Sequence, residues 1–180
     1  REDKWEKKDY VKGIELQGKT LGIVGFGRIG QHLGVMAKAI GMKVVAFDIF
    51  HIPGIEAQLG IPYVEMDELL AQSDFISVHA PAVDGGAIIN ESTIAKMKDG
   101  VTIINTSRGT NVDENALLAA LNSGKVRSAG LDVYADEPAT NAALYSHPMV
   151  SCTPHIGAAT GEAQKRIGAE IVDIITHFTF

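Results

Sequence analysis

Leu21-Gly22-Ile23-Val24-Gly25-Phe26-Gly27-Arg28-Ile29-Gly30 is an apolar run that breaks into G-x-G-x-x-G, after which apolar residues recur at helical spacing through Leu33, Met36 and Ile40. The stretch reads as strand, tight turn, helix. Gly25 permits the sharp turn, Gly27 leaves the main chain open to a closely lying pyrophosphate, and Gly30 lets the helix pack against the strand. Behind the turn, the helix N-terminus offers free N–H groups and the positive end of a macrodipole of about half an elementary charge, so an anion site forms without a lysine.

A second strand, Lys43-Val44-Val45-Ala46-Phe47, follows and ends in Asp48. The acid lies about 20 residues past the glycines, where a dinucleotide fingerprint places it. At a strand's C-terminal end its carboxylate can accept both hydroxyls of an adenosine ribose and would repel a 2′-phosphate. Ile49, Phe50 and His51 follow it, not arginine. The expected cofactor is NAD rather than NADP.

The 180 residues, 46% apolar and only 6% aromatic, suit one α/β domain with a substantial core. A net charge of -6 with no basic cluster argues against nucleic acid or a membrane surface as partner. Lys4, Lys7 and Lys8 alternate with Glu2, Asp3, Glu6 and Asp9, which reads as a solvated face. The single cysteine, Cys152, lies in an apolar strand and is expected to be a buried, inert thiol; a reducing, cytoplasmic setting is expected with it. No segment reads as a membrane span or a signal peptide. No His, Cys or carboxylate cluster has metal-ligand spacing, so no metal is expected.

Residues 1–17 carry no clear period, and Trp5, Tyr10 and Val11 mark them as a docking or linker segment ahead of a domain at 18–180. Within that domain short helices are expected at Ile55–Leu59 and Met66–Gln72, with an edge strand between them at Ile61–Val64, where Pro62 cannot donate to a ladder. Phe75–His79 and Val101–Asn105 read as further strands, Asn90 and Asp113 as helix caps, and Gly124 as a helix stop. Ser128–Val133 is the next strand. Tyr134–Met149 reads as irregular, Val150–Thr153 as a short strand, and a last helix runs from about Gly161 with Thr160 as its cap. Strands alternating with helices, several of them continuous apolar runs, predict a Rossmann-type doubly wound parallel sheet with helices on both faces.

Ligands of such sheets bind beyond the strands' carboxyl ends. Asp48, His79, Arg108, Asp132 and His155 all sit at or just after such an end. Arg108, in Asn105-Thr106-Ser107-Arg108-Gly109, could bind a carboxylate or ketone oxygen through paired donors, or pair with a loop acid. His155, set between Thr153-Pro154 and Ile156-Gly157, is a candidate acid/base. A carboxylate beside the imidazole would stabilise its charged form and fix its ring; Asp132, Asp136 and Glu137 are all candidates for that place.

Gly25 to Gly30, Asn105 to Gly109, Leu131-Asp132-Val133 with Glu137-Pro138, and Thr153 to Gly157 together resemble the D-isomer-specific 2-hydroxyacid dehydrogenase family, in order and spacing over essentially the whole chain. Trp5-Glu6-Lys7-Lys8 and Gly157 to Gln164 are most similar to its D-3-phosphoglycerate dehydrogenase branch. The resemblance implies that Arg108 orients the substrate, His155 is the acid/base and Glu137 pairs with it. It places Arg28 and Ile29 on the pyrophosphate and Asp48 on the ribose. His79, Ala80, Thr106, Ser107, Arg108, Asp132, His155, Gly157 and Ala158 would line the remainder of the cofactor site, with Ala80, Thr106 and Ser107 on its nicotinamide side and Asp132 near the nicotinamide. Val83-Asp84-Gly85-Gly86-Ala87 departs from the family's threonine-rich pattern. The implied activity is NAD-dependent oxidation of a D-2-hydroxy acid, with 3-phosphoglycerate expected as substrate and a homodimer as the full-length assembly. The family's substrate domain is absent from the chain, which reads as a cofactor domain. Relatives of the family that sense NAD(H) as corepressors supply the alternative, a binding module without turnover.

Overall fold

The computed structural model describes residues 13–178; Trp5, Tyr10 and Val11 lie outside them. Strand β1 (Thr20–Val24) leads through the glycine turn into α1 (Arg28–Ala39), and β2 (Lys43–Phe47) is followed by α2 (Ile55–Leu59) and α3 (Met66–Gln72). Then come β3 (Phe75–Val78), α4 (Glu91–Ala95), β4 (Val101–Asn105) and a 3₁₀ turn at Gly109–Asn111. The chain closes with α5 (Glu114–Ser123), β5 (Val126–Leu131), α6 (Ala142–Tyr145), β6 (Val150–Cys152) and α7 (Gly161–His177). The strands form one parallel sheet in the order β2-β1-β3-β4-β5-β6, and the order reverses between β1 and β3.

Register decides where a site can form. Val24 pairs with Phe47 and with Val78, Val78 with Asn105, Asn105 with Leu131, and Leu131 with Cys152, so every strand ends on one line. The residues that follow those ends, Gly25, Asp48, His79, Thr106, Asp132 and Thr153, therefore share one rim.

Helices cover both faces, as the alternating pattern predicts. On one face, Leu69, Leu70, Ile94, Leu117, Leu121 and Leu144 pack against Val24, Val78, Ile103 and Leu131. On the other, Ala37, Ile55 and Ile61 pack against Leu21, Ile23, Val44 and Ala46. The expected caps are present: Asn90 forms a capping box with Thr93, Asp113 accepts from the Asn115 and Ala116 amides, and Thr160 accepts from Ala163.

Three expectations need correction. Ile61–Val64 is not a strand: Tyr63 makes one parallel bridge to Ala46, because Pro62 offers its carbonyl to β2 but has no N–H with which to extend the ladder. The Tyr134–Met149 passage contains α6, capped by Asn141 and anchored by the buried Leu144. Cys152 is exposed, not buried, because β6 is an edge strand of three residues that pairs only with β5. Among the described residues no helix is long and apolar enough to cross a membrane.

Candidate functional site

Each glycine of the first turn has its own geometric reason. Gly25 sits at φ 93, and a Cβ there would strike the main chain of His79 and Ala80. A Cβ on Gly30 would meet the Gly25 carbonyl and the Ile23 side chain, so this glycine sets how closely α1 lies on β1. Gly27 faces open space. It also begins α1 with no side-chain cap and no acid in the first turn, leaving the N–H groups beside Arg28 and Ile29 available to an anion. That open cradle and uncapped helix end suit a dinucleotide's phosphates.

The turn opens onto a groove of about 470 Å³ lined by Gly25, Gly27, Asp48, His79 and Ala80 among others. Asp48 is tied into its rim. The Phe26 N–H donates to Asp48 Oδ2 at 2.6 Å and the Phe50 N–H to Oδ1 at 3.0 Å. A carboxylate has about four lone-pair sites, so acceptor capacity remains for a ribose. His79 Nε2 lies 2.8 Å from Ser77 Oγ, and burial holds this imidazole below its ordinary pKa.

Arg108 leaves β4 through a turn fixed by Asn105, whose Oδ1 accepts from the Ser107 amide and hydroxyl while its Nδ2 donates to the Arg108 carbonyl. The guanidinium is folded back onto the Ser107 carbonyl at 2.7 Å, and among the described residues no carboxylate pairs with it. The next residue, Gly109, presses so closely on the Tyr134 main chain that a Cβ would overlap the Tyr134 carbonyl. The Arg108 turn and the segment leading to Glu137 are thus packed together.

Of the acids left open by the sequence, the structure sets Glu137 against His155: Nδ1–H donates to Oε2 at 2.7 Å. The bond from His155 holds the Glu137 carboxyl below its usual range. Asp136 instead accepts from the Thr140 hydroxyl. Asp132, buried, takes the Thr153 hydroxyl at 2.5 Å, the Ile156 amide at 2.9 Å and the Gly157 amide at 2.8 Å. These bonds brace the loop in which His155 adopts φ 55, the left-handed region that side chains other than glycine seldom enter. Beside the pair is a cavity of about 350 Å³ lined by Tyr134, Tyr145, Cys152 and Pro154 as well as His155 and Glu137. Thr106, Gly157 and Ala158 lie exposed along the same rim.

Residues 1–157 match the family described as D-isomer specific 2-hydroxyacid dehydrogenase, NAD binding domain. The chain belongs to that family. Hydroxypyruvate reductase of Thermotoga maritima is 51% identical over 179 residues, which are 97% of this chain and 57% of that protein. D-3-phosphoglycerate dehydrogenase of Mycobacterium tuberculosis is 46% identical over 176 residues, 97% of this chain and 33% of that one. Among solved structures, D-lactate dehydrogenase from Aquifex aeolicus complexed with NAD and lactic acid superimposes with a TM-score of 0.82 at 35% identity, covering 95% of this chain and 58% of the other. The chain thus spans between a third and three fifths of these relatives, and its cofactor is NAD.

Within this NAD-binding domain two supporting residues escaped the sequence reading. Tyr134 donates its hydroxyl to the Thr153 carbonyl at 2.9 Å; burial and the neighbouring Cys152 thiol push its pKa up, so it stays a donor. Asn111 is wholly buried between the groove and the Arg108 turn. A polar side chain just after the Arg108-Gly109 turn was its one legible sign.

Proposed function

We propose that this chain is the cofactor-binding part of an enzyme that interconverts D-2-hydroxy acids and 2-oxo acids, residues 18–180 forming the NAD domain and 1–17 a linker or docking segment. When bound, NAD supplies the hydride acceptor. The chain's own groups divide the remaining work. The uncapped N-terminus of α1 receives phosphate. Arg108, turning away from the Ser107 carbonyl, offers paired donors to the substrate carboxylate. The observation that carries the reading is the 2.7 Å bond from His155 to Glu137, made by a histidine held at φ 55. With Nδ1 occupied, Nε2 is left to take the substrate's hydroxyl proton on oxidation and return it on reduction.

Within this class the proposed reaction is oxidation of 3-phosphoglycerate to 3-phosphohydroxypyruvate, the entry to serine biosynthesis, by a cytoplasmic homodimer. Its support is the Gly157–Gln164 sequence and the 46% identity to a D-3-phosphoglycerate dehydrogenase. The 51% identity to a hydroxypyruvate reductase favours a second reading, in which the substrate carries no phosphate. The two are separated by measuring kcat/KM with NADH for 3-phosphohydroxypyruvate and for hydroxypyruvate, using the complete enzyme. A preference of about tenfold or more for the phosphorylated acid, near 1.4 kcal/mol, supports the first. The reverse preference moves the assignment to the second, and reduction of neither overturns both.

A further inference from the structure

Asn111 is fully buried in the 3₁₀ turn that follows Arg108. Its Nδ2 donates to the Ala80 carbonyl at 2.9 Å and to the Ser107 hydroxyl at 3.2 Å. Its main chain joins the same elements: the Asn111 amide donates to the Arg108 carbonyl at 3.1 Å, and the Ile89 amide donates to the Asn111 carbonyl at 2.9 Å. The side-chain Oδ1 is buried with no hydrogen-bond partner among the described residues. An apolar side chain of similar volume would strand no such acceptor, so what asparagine adds here is its two donated bonds.

Those bonds join two loops of the rim. Ala80 belongs to the loop after β3 and lines the groove with Gly25 and Asp48. The same loop lies against Gly25, where a Cβ would strike it. Ser107 belongs to the loop after β4, and its hydroxyl continues the chain of bonds to Asn105 Oδ1 at 2.8 Å; Asn105 in turn holds the Arg108 carbonyl. A continuous path therefore runs from the groove wall through Asn111 and Ser107 to the Arg108 turn. Resting on the reading of this groove as the NAD site, we propose that Asn111 is a positioning residue that sets the spacing between the Ala80 loop and the Arg108 turn, and with it the width of the nicotinamide end of the groove.

The phosphates and adenosine depend on the glycine turn and Asp48, which Asn111 does not touch. ADP-ribose, which lacks nicotinamide, is therefore the control ligand. Calorimetry on the 180-residue chain compares NAD⁺ with ADP-ribose for the parent, Asn111→Leu and Asn111→Ala. For Asn111→Leu, NAD⁺ affinity should fall about tenfold, the scale of one or two lost hydrogen bonds, while ADP-ribose affinity stays within about twofold. Asn111→Ala removes the same two bonds with a smaller side chain and should likewise lower NAD⁺ affinity about tenfold with ADP-ribose within about twofold; it carries the test should Asn111→Leu not fold. Equal losses for the two ligands would reduce Asn111 to general structural support and overturn the proposal, as would unchanged NAD⁺ affinity. A parent chain that binds neither ligand overturns the groove and the link together. A parent that binds both, in an enzyme that reduces no 2-oxo acid, overturns the proposed reaction only, and the ligand ratio still decides on Asn111.

Discussion

His155 adopts φ 55, a conformation that costs a non-glycine residue about 1–3 kcal/mol unless its surroundings impose it. Asp132 does the imposing, through bonds from the residues on both sides of His155. Burial alone would push the Asp132 carboxyl up; the Thr153 hydroxyl, the Ile156 and Gly157 amides and the nearby His155 outweigh it and hold the group below its ordinary range. A carboxyl held low in the folded state contributes stability above its unfolded pKa of about 4 and loses it as pH falls through the folded value. The parent's Tm should therefore drop on acidification below about pH 4 more steeply than that of Asp132→Asn, which has no such group to protonate. Parallel curves for the two proteins would show that the carboxylate is not what braces the loop. At neutral pH the same variant should already be less stable, by about 1–3 kcal/mol, since an amide turns an N–H₂ toward one of the donors. His155 itself belongs to a different test. In the complete enzyme His155→Ala should lower kcat by about a hundredfold or more with NAD⁺ affinity nearly unchanged, and Glu137→Gln, which keeps the shape but not the charge, should cost less. A kcat for His155→Ala within a factor of about three of the parent would remove the imidazole from the reaction.

At the scale of elements, the β1 turn separates binding from stability. A methyl at Gly27 meets nothing, whereas one at Gly30 runs into the Gly25 carbonyl and the Ile23 side chain. Gly27→Ala should leave Tm almost unchanged and weaken NAD⁺ binding by crowding the phosphates; Gly30→Ala should cost about 1–3 kcal/mol, because α1 must move off β1. Thermal melts with and without NAD⁺ measure both, and a Gly27→Ala chain that melts early but binds normally would reverse the assignment. The glycine turn was legible because its requirements are local, and so were the caps at Asn90, Asp113 and Thr160, each read from a side chain a few residues from the amide it accepts. What the sequence hid depends on partners distant in the chain. Cys152 looks like a core residue until β6 proves to be an edge; Ile61–Val64 is the exception, since Pro62, within the stretch itself, limits it to one bridge. The choice of Glu137 over Asp132 and Asp136 could not be made from spacing either. All three acids are close in sequence; only the packing of Gly109 on Tyr134 and the brace from Asp132 decide which carboxylate faces His155.

Over the whole molecule, the glycine turn, Asp48 and the Ala80 loop sit between elements that pack against one another, whereas α7 buries no residue. None of its residues is buried, and Ile167, Ile171, Ile174 and Ile175 expose an apolar stripe along 17 residues. Most helical stability in proteins comes from packing an apolar face, and α7 draws little of it here. The domain from β1 to β6 has two hydrophobic clusters and a sheet whose strand ends share one rim. The 180-residue chain should accordingly melt cooperatively and gain stability from NAD⁺ by mass action, about 2.7 kcal/mol at a hundred times Kd. Amide exchange should be slow in β1, β3 and β4 and fast throughout α7, with NAD⁺ slowing exchange around Gly25 to Gly30 and leaving α7 unchanged. Turnover is a separate demand. Holding a hydroxy acid in line, away from water, is worth about 7–11 kcal/mol, and here Arg108, Glu137 and His155 all stand on an exposed rim. The expected result is calorimetric NAD⁺ binding with no measurable NADH formation from 3-phosphoglycerate. NADH production by the purified chain at a rate near that of a complete enzyme would show instead that this exposed rim is enough to position the substrate.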